Sequence, residues 1–210
     1  MGSRIMHIII ANKIADSLAI NDKTPFLLGS IAPDAVSSKD SSHFFAGDLQ
    51  DYSRCVDYQA FIHMYHTQKE NHYLLGYYTH LIADDIWLKG FYLPWLKNRM
   101  AANHEMFNLY HNDFKLLNGK LLEHYGFKEE LCKALRQSQA LIDLDEVKTK
   151  DVNEFIPYVI GDMDYDINAV MSEKLHVFTL EQIIGYIETC VDIGLLKIKA
   201  LELQIHNQLN

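Results

Sequence analysis

The stretch from Asn71 to Gly90, NHYLLGYYTHLIADDIWLKG, constrains the fold more than any other part of the chain. Tyr73, Leu74, Tyr77, Tyr78, Leu81, Ile82 and Leu88 recur at helical spacings, which predicts a central helix with a broad apolar face. His80 and Asp84 stand four apart, so both side chains leave one face of that helix, separated by about 6 Å of rise. An imidazole and a carboxylate so placed can converge on one cation. The same pair would equally serve as a surface contact or a buried hydrogen bond, so its meaning depends on what the rest of the chain brings to it.

Other segments repeat the helical period. Ile5 to Ile20 predicts a first helix, with His7 in its first turn. Thr24-Pro25 predicts a helix start with Thr24 as cap, running Phe26 to Ile31 and stopped by Ala32-Pro33. From Asp34 to Asp48 there is no periodicity, the one long irregular segment, and such loops are commonly functional. Asp57 to Lys69 reads as helix. Leu93-Pro94-Trp95 is expected to break the chain, and Ala101 to Leu117 to form a helix ended by Asn118-Gly119. Shorter helices follow at 120–125, 128–137, 152–160 and 166–173. A final helix capped by Thr179 runs from Leu180 to about His206, with Ile205 the last residue of its apolar stripe. The expectation is an all-α fold, residues 1–210 forming a single multi-helical domain.

Charge restricts the partners. With 28 acidic against 19 basic residues the formal charge is -9, and no Lys/Arg run appears, which argues against a general binder of nucleic-acid backbones. A phosphate-bearing substrate would need locally supplied positive charge, which metal ions provide. No apolar run is long enough for stable membrane insertion. The three cysteines, Cys55, Cys132 and Cys190, suggest neither a disulfide framework nor a metal knuckle, and no signal-peptide pattern is visible, so a cytoplasmic location is expected. Oligomeric state is left open.

The chemistry rests on Asp34, His43, His80 and Asp84. Carboxylate oxygen and neutral imidazole suit zinc, and two residues from a loop with two from a helix can close a four-coordinate shell. Iron or manganese accept the same donors. His7 is the next candidate; if its turn approaches Asp84, that carboxylate can join two cations. Asp48 is a loop carboxylate suited to a general base. Asp85 is directed either to a histidine of a neighbouring turn or to solvent. His63 and His66 are read as surface or structural residues. The alternating Asp162, Asp164 and Asp166 fail as a calcium loop, because the position needing glycine is Ile167.

Taken in order, His7 with the following IANKIA, LLGSIAPD ending at Asp34, His43-Phe44, and LLGYYTHLIADDIW with His80 and Asp84 resemble the zinc-dependent phospholipase C family, to which the single-strand-specific zinc nucleases are related. The resemblance covers roughly residues 5 to 90. It implies an all-helical fold, one to three zinc ions and hydrolysis of phosphoester bonds in a phospholipid or a smaller phosphoester. It further implies that Asp34, His43, His80 and Asp84 hold one zinc and that Asp84 reaches a metal held by His7. The family adds a later His-x-x-x-Glu pair, whereas here His104 is followed at the fourth position by Asn108 and His111 by Lys115. Two function classes therefore stand: a metal-dependent phosphoester hydrolase, in which Asp84 and Asp48 would be catalytic, and a non-catalytic helical binding or structural protein that retains one zinc. An adjacent His-Asp metal pair is absent from the sequence, and Glu-x-x-His occurs once, at Glu173, so neither a His-Asp-doublet phosphohydrolase nor a ferritin-like carboxylate oxidase fits.

Overall fold

A computed structural model describes residues 3–68 and 70–209, with side chains described as far as Leu203. The proposed helix end at Lys69 and the side chain of Ile205 lie outside the described residues. Helix α1 (Arg4–Ser17) starts where Ser3 Oγ accepts a hydrogen bond from Met6 N at 3.2 Å. Its Ile5, Met6, Ile8, Ile9, Ile10, Ala11 and Ile14 are all buried, so it is a core helix rather than a surface one. Helix α2 (Thr24–Ile31) follows, and Thr24 is inside it, not its cap. The Thr24 hydroxyl instead donates to Gln137 Oε1 at 3.1 Å, while Asp22 Oδ1 accepts from Thr24 N at 3.0 Å.

Pro33 tightens the chain without stopping it: Ala32–Ala35 forms one 3₁₀ turn that carries Asp34. The irregular segment then holds a single turn, α3 (Lys39–Ser42), and an antiparallel hairpin of β1 (Phe45–Ala46) with β2 (Cys55–Val56). Helix α4 (Tyr58–Met64), capped by Asp57, leads through a 3₁₀ turn to α5 (His72–Trp87), which Asn71 Oδ1 caps by accepting from Tyr73 N at 2.9 Å. The expected break at Pro94 does not occur. The chain continues through a π-helical stretch, Leu88–Leu96, into α6 (Lys97–Ala102), the wider i→i+5 pattern accommodating the proline that an α-helix would not.

Helix α7 (Glu105–Tyr125) likewise runs through the expected stop at Asn118-Gly119. Both residues are buried, and Gly119 lies against Tyr165 and Val170, so this glycine serves close packing. The helix ends at Gly126, which adopts the left-handed conformation of a C-cap at φ 72°. Helices α8 (Lys128–Leu135), α9 (Thr149–Gly161) and α10 (Ile167–Ser172) precede α11 (Leu180–Leu209). Thr179 caps α11 as expected, with Gln182 N donating to Thr179 Oγ1 at 3.2 Å and Thr179 N to Gln182 Oε1 at 2.9 Å.

Helix α5 is the centre, flanked by α1, α2, α4 and α11, and residues 73–85 are all buried. Its closest partner is α2. The two cross on glycine against glycine: a Cβ on Gly29 would strike the Tyr73 carbonyl, and one on Gly76 the Phe26 carbonyl. That crossing lets two backbones approach closely, and it sets the end of α2 over the His80 face of α5. Around Trp87 the other end of α5 packs Phe91, Phe114, Phe178 and Tyr186, with the Trp87 and Phe91 rings stacked at 4.6 Å. The result is an all-α single domain, and among the described residues no helix is long and apolar enough to cross a membrane.

Candidate metal centre

Four elements meet over the middle of α5. His80 and Asp84 project from α5, His7 from α1, Asp34 from the 3₁₀ turn after α2, and His43 from the end of α3. His7, His43, His80 and Asp84 are buried, while the Asp34 side chain is 18% exposed. The chain turns sharply past His43, because Phe44 takes φ 51°, a conformation that costs an L residue of its size of order 1 kcal/mol. Phe44 is held there by Phe61 at 5.4 Å and by Asp57 N, which donates to its carbonyl at 2.8 Å.

Hydrogen bonds behind the cluster fix which ring nitrogens face it. His80 Nδ1 lies 2.7 Å from the Ser30 carbonyl, an acceptor only, so this nitrogen carries the proton. His43 Nδ1 lies 2.9 Å from Ser42 Oγ, whose own hydrogen goes to the Pro33 carbonyl at 2.9 Å. His43 Nδ1 is therefore also the donor. Tyr77 OH in turn donates to the Ser42 carbonyl at 2.6 Å, tying this support to α5. Both Nε2 atoms consequently present lone pairs, and they face each other at 3.2 Å. Two lone pairs at that distance repel unless a positive species lies between them.

Two species qualify, a proton or a metal ion. Burial, followed by the proximity of His7, drives His80 well below the ordinary histidine range despite the nearby Asp84 and Asp34, which opposes a proton on His80. The distances suit the metal. Asp84 Oδ2 stands 3.4 Å from His43 Nε2 and 3.7 Å from His80 Nε2, and Asp34 Oδ1 is 3.6 Å from His43 Nε2. Ligand atoms 2.0–2.1 Å from a tetrahedral zinc stand roughly 3.3 Å apart. His43, His80 and Asp84 thus form one set able to hold a divalent cation, and His7, Asp34 and His80 form another, the donor atoms of each lying within 4.8 Å of one another. Both sets draw on His80, so they are two descriptions of a single cluster.

His7 adds an independent sign. Its ring stacks on His80 at 3.7 Å, and Nε2 is 3.3 Å from Asp84 Oδ1, yet neither buried ring nitrogen has a hydrogen bond of good geometry among the described residues. Buried imidazole nitrogens rarely go unsatisfied, and a metal ion is one of the partners that resolves them. Burial works to raise the Asp34 carboxyl, but His43, His80 and Lys39 outweigh it and hold the group well below the usual carboxylate range. Asp84 is held low in the same way, with burial opposed by His7 and His80.

The remaining residues fall elsewhere. Asp48 is exposed in the hairpin loop, where Oδ1 accepts from Gln50 N at 2.7 Å, and it belongs to neither ligand set. Asp85 meets neither expectation. It is buried, accepts from Val56 N at 3.2 Å and pairs with Lys89 at 2.6 Å, so it anchors β2 to α5. His63, His66, His104, His111 and His176 are exposed. Ser30, Ser42 and Tyr77 were missed as supports of the cluster. The Ser30 contribution is a backbone carbonyl, for which residue type carries no signal.

Beyond Asp34 the cluster meets a cleft of about 530 Å³. Arg4, Lys39 and Lys115 line it with Tyr110, His111, Phe114 and Phe155, and the acidic lining residues are Asp34 and Asp162. Arg4 Nε pairs with Asp162 at 2.6 Å and its guanidinium lies 5.0 Å over Phe155. Lys39 pairs with Asp34 at 2.9 Å, and Lys115 has no ion-pair partner among the described residues. No protein-family model, curated protein or solved structure matches the chain.

Proposed function

We propose that this chain is a metal-dependent hydrolase of phosphoester bonds, with zinc its resident ion and a fold of the zinc-dependent phospholipase C type. One observation carries the reading: lone pairs of two buried imidazoles converge with two carboxylates, one of which, Asp34, also lines a cleft that holds Arg4, Lys39 and Lys115, in a protein of net charge -9. His43, His80, Asp84 and Asp34 are the residues that would hold the first ion, and His7 would serve a second one beside Asp84. Divalent ions so held supply charge neutralisation of phosphoryl oxygens and a water of lowered pKa. The protein's own part is orientation. Ser30 and Ser42 fix the imidazole tautomers, the α2–α5 crossing sets the Ser30 carbonyl against His80, and Arg4 and Lys115 offer donors to an anion in the cleft.

The ordered sequence pieces around His7, Asp34, His43, His80 and Asp84 support the phosphoester class, and the aromatic lining leaves room for an apolar group on the substrate. Hydrolysis of bis(p-nitrophenyl) phosphate by zinc-supplemented protein, lost with chelator and in His80→Ala but kept in His176→Ala, is the expected result. Wild-type protein that takes up zinc without turnover of phosphodiesters or phosphomonoesters would refute the hydrolase. That outcome favours the second reading, a binding protein with one closed zinc. It has an observation of its own behind it, since α7 presents Lys115 to the cleft and no carboxylate.

A further inference from the structure

Lys39 is placed on a carboxylate oxygen that the cluster also faces. Its ammonium lies 2.9 Å from Asp34 Oδ1 and 3.0 Å from the Asp34 carbonyl, and the same Oδ1 is the atom 3.6 Å from His43 Nε2. An ammonium and a divalent cation on that oxygen repel each other, so the binding of one weakens the hold of the other. The lysine is equipped to yield. Its side chain is 44% exposed, it sits on the single turn of α3, and it lines the cleft that also contains Arg4 and Lys115. Rotation about its terminal bonds would move the charge from Asp34 into the cleft that Lys39 already lines.

We infer that Lys39 is a tethered positioning cation: it neutralises Asp34 until a divalent ion takes the Asp34 oxygen, and the released ammonium then holds the phosphoryl group of the substrate beside Lys115. This rests on the metal-dependent phosphoester reading and adds to it the residue that couples filling of the metal site to capture of the anion. Arg4 is less suited to the task, since Asp162 and the Phe155 ring hold its guanidinium. The coupling has a direction: phosphate affinity at Lys39 is low before the ion binds and high after.

The test uses metal-free, full-length protein and two titrations, first with zinc and then with inorganic phosphate on the zinc-loaded form. Lys39→Met is expected to bind zinc roughly two- to fivefold more tightly, the range over which partly exposed ion pairs act. The zinc-loaded variant should bind phosphate about tenfold more weakly, as loss of a charge-assisted hydrogen bond implies. Lys39→Arg should restore phosphate affinity, and Lys199→Met, which removes an exposed charge on α11, should alter neither titration. In turnover, Lys39→Met should raise KM with kcat little changed. Zinc affinity that is unchanged or weaker in Lys39→Met, or phosphate affinity that is unchanged, overturns the role of Lys39 while leaving the metal site standing. A wild type that takes up no zinc overturns the proposed function and this inference together.

Discussion

Asp84 and Asp113 are both fully buried aspartates in long helices, and their surroundings are opposite. Asp113, on α7, receives four backbone contacts from one turn: Oδ1 accepts from His176 N at 2.9 Å, and Oδ2 from His176 N at 3.1 Å, Val177 N at 2.7 Å and Phe178 N at 3.0 Å. A carboxylate surrounded by N–H donors is a closed structural device, which ties the approach to α11 onto α7 and seats Phe178 against Trp87. Asp84 is ringed by three imidazoles, at 3.3 Å for His7, 3.4 Å for His43 and 3.7 Å for His80. Two of those rings turn lone pairs toward it. The contrast shows that burial of an aspartate says little by itself, and that the donor or acceptor character of its neighbours separates a structural carboxylate from one arranged for a cation.

The largest effect should come from the structural member. Asp113→Ala leaves three N–H groups without their acceptor, those of Val177 and Phe178 buried and that of His176 partly so, and loss of such a network is expected to cost about 3–5 kcal/mol. Urea unfolding of the metal-free protein reads this directly. The zinc affinity of whatever remains folded should be close to wild type. Stability within 1 kcal/mol of wild type in that variant would erase the distinction between the two aspartates.

Asp84→Asn should do the reverse. Zinc affinity is expected to fall by about a hundredfold or more, as a charged ligand becomes a neutral amide. At zinc a hundred times its Kd the wild type should gain about 2.7 kcal/mol, and Asp84→Asn should gain almost none. Equal zinc stabilisation of the two proteins would remove Asp84 from the ligand set. The pH dependence of the metal-free wild type sharpens the point. His80 is depressed in the fold, so below its ordinary value of 6.5 the unfolded chain binds the additional proton and the folded chain resists it. Stability is thus present above pH 6.5 and is lost as pH falls through that value toward the folded one. Asp34 and Asp84, also held low, add a loss of the same sign at more acidic pH. His7 and His43 face the same pocket, so His80→Ala should diminish the first loss in urea unfolding followed against pH.

Much of this contrast was legible in the sequence on one side and hidden on the other. His80 and Asp84 are four apart on a strongly periodic helix, and Asp34 and His43 fall in the one long aperiodic segment, so the site half of the molecule announces itself through spacing. Asp113 gives no such signal. It sits among His111, Asn112 and Lys115 on α7 and reads as one more polar residue, because its partners are backbone groups some sixty positions later. Gly119 misled for a related reason. Glycine ends a helix only where the backbone goes left-handed, as at Gly126, and whether it instead serves packing is decided by neighbours distant in sequence. The two Leu-Leu-Gly triplets, at 27–29 and 74–76, mark the helix crossing that builds the site, yet each is an unremarkable helical glycine until the other is set against it.

The smallest effect distinguishes a cluster held by its ligands alone from one held by their supports. Ser42 touches no position where an ion would sit, and its hydroxyl stands between His43 Nδ1 and the Pro33 carbonyl, each 2.9 Å away. Ser42→Ala removes the acceptor that keeps the His43 proton on Nδ1, so the tautomer with a proton on Nε2 is no longer penalised. That proton points at His80 and must leave before a cation can enter. Supporting hydrogen bonds of this kind typically tune metal affinity by 10- to 100-fold, and the partly exposed Asp34 side of the cluster places the expectation near the lower end, about tenfold weaker zinc. Folding stability should fall by about 1 kcal/mol from the lost bond to Pro33. Ser42→Thr keeps the hydroxyl and should restore most of the zinc affinity if the methyl group is accommodated. Ser42→Ala with wild-type zinc affinity would show that His43 does not depend on this support, and the difference between Asp84 and Asp113 would then rest on the imidazoles alone.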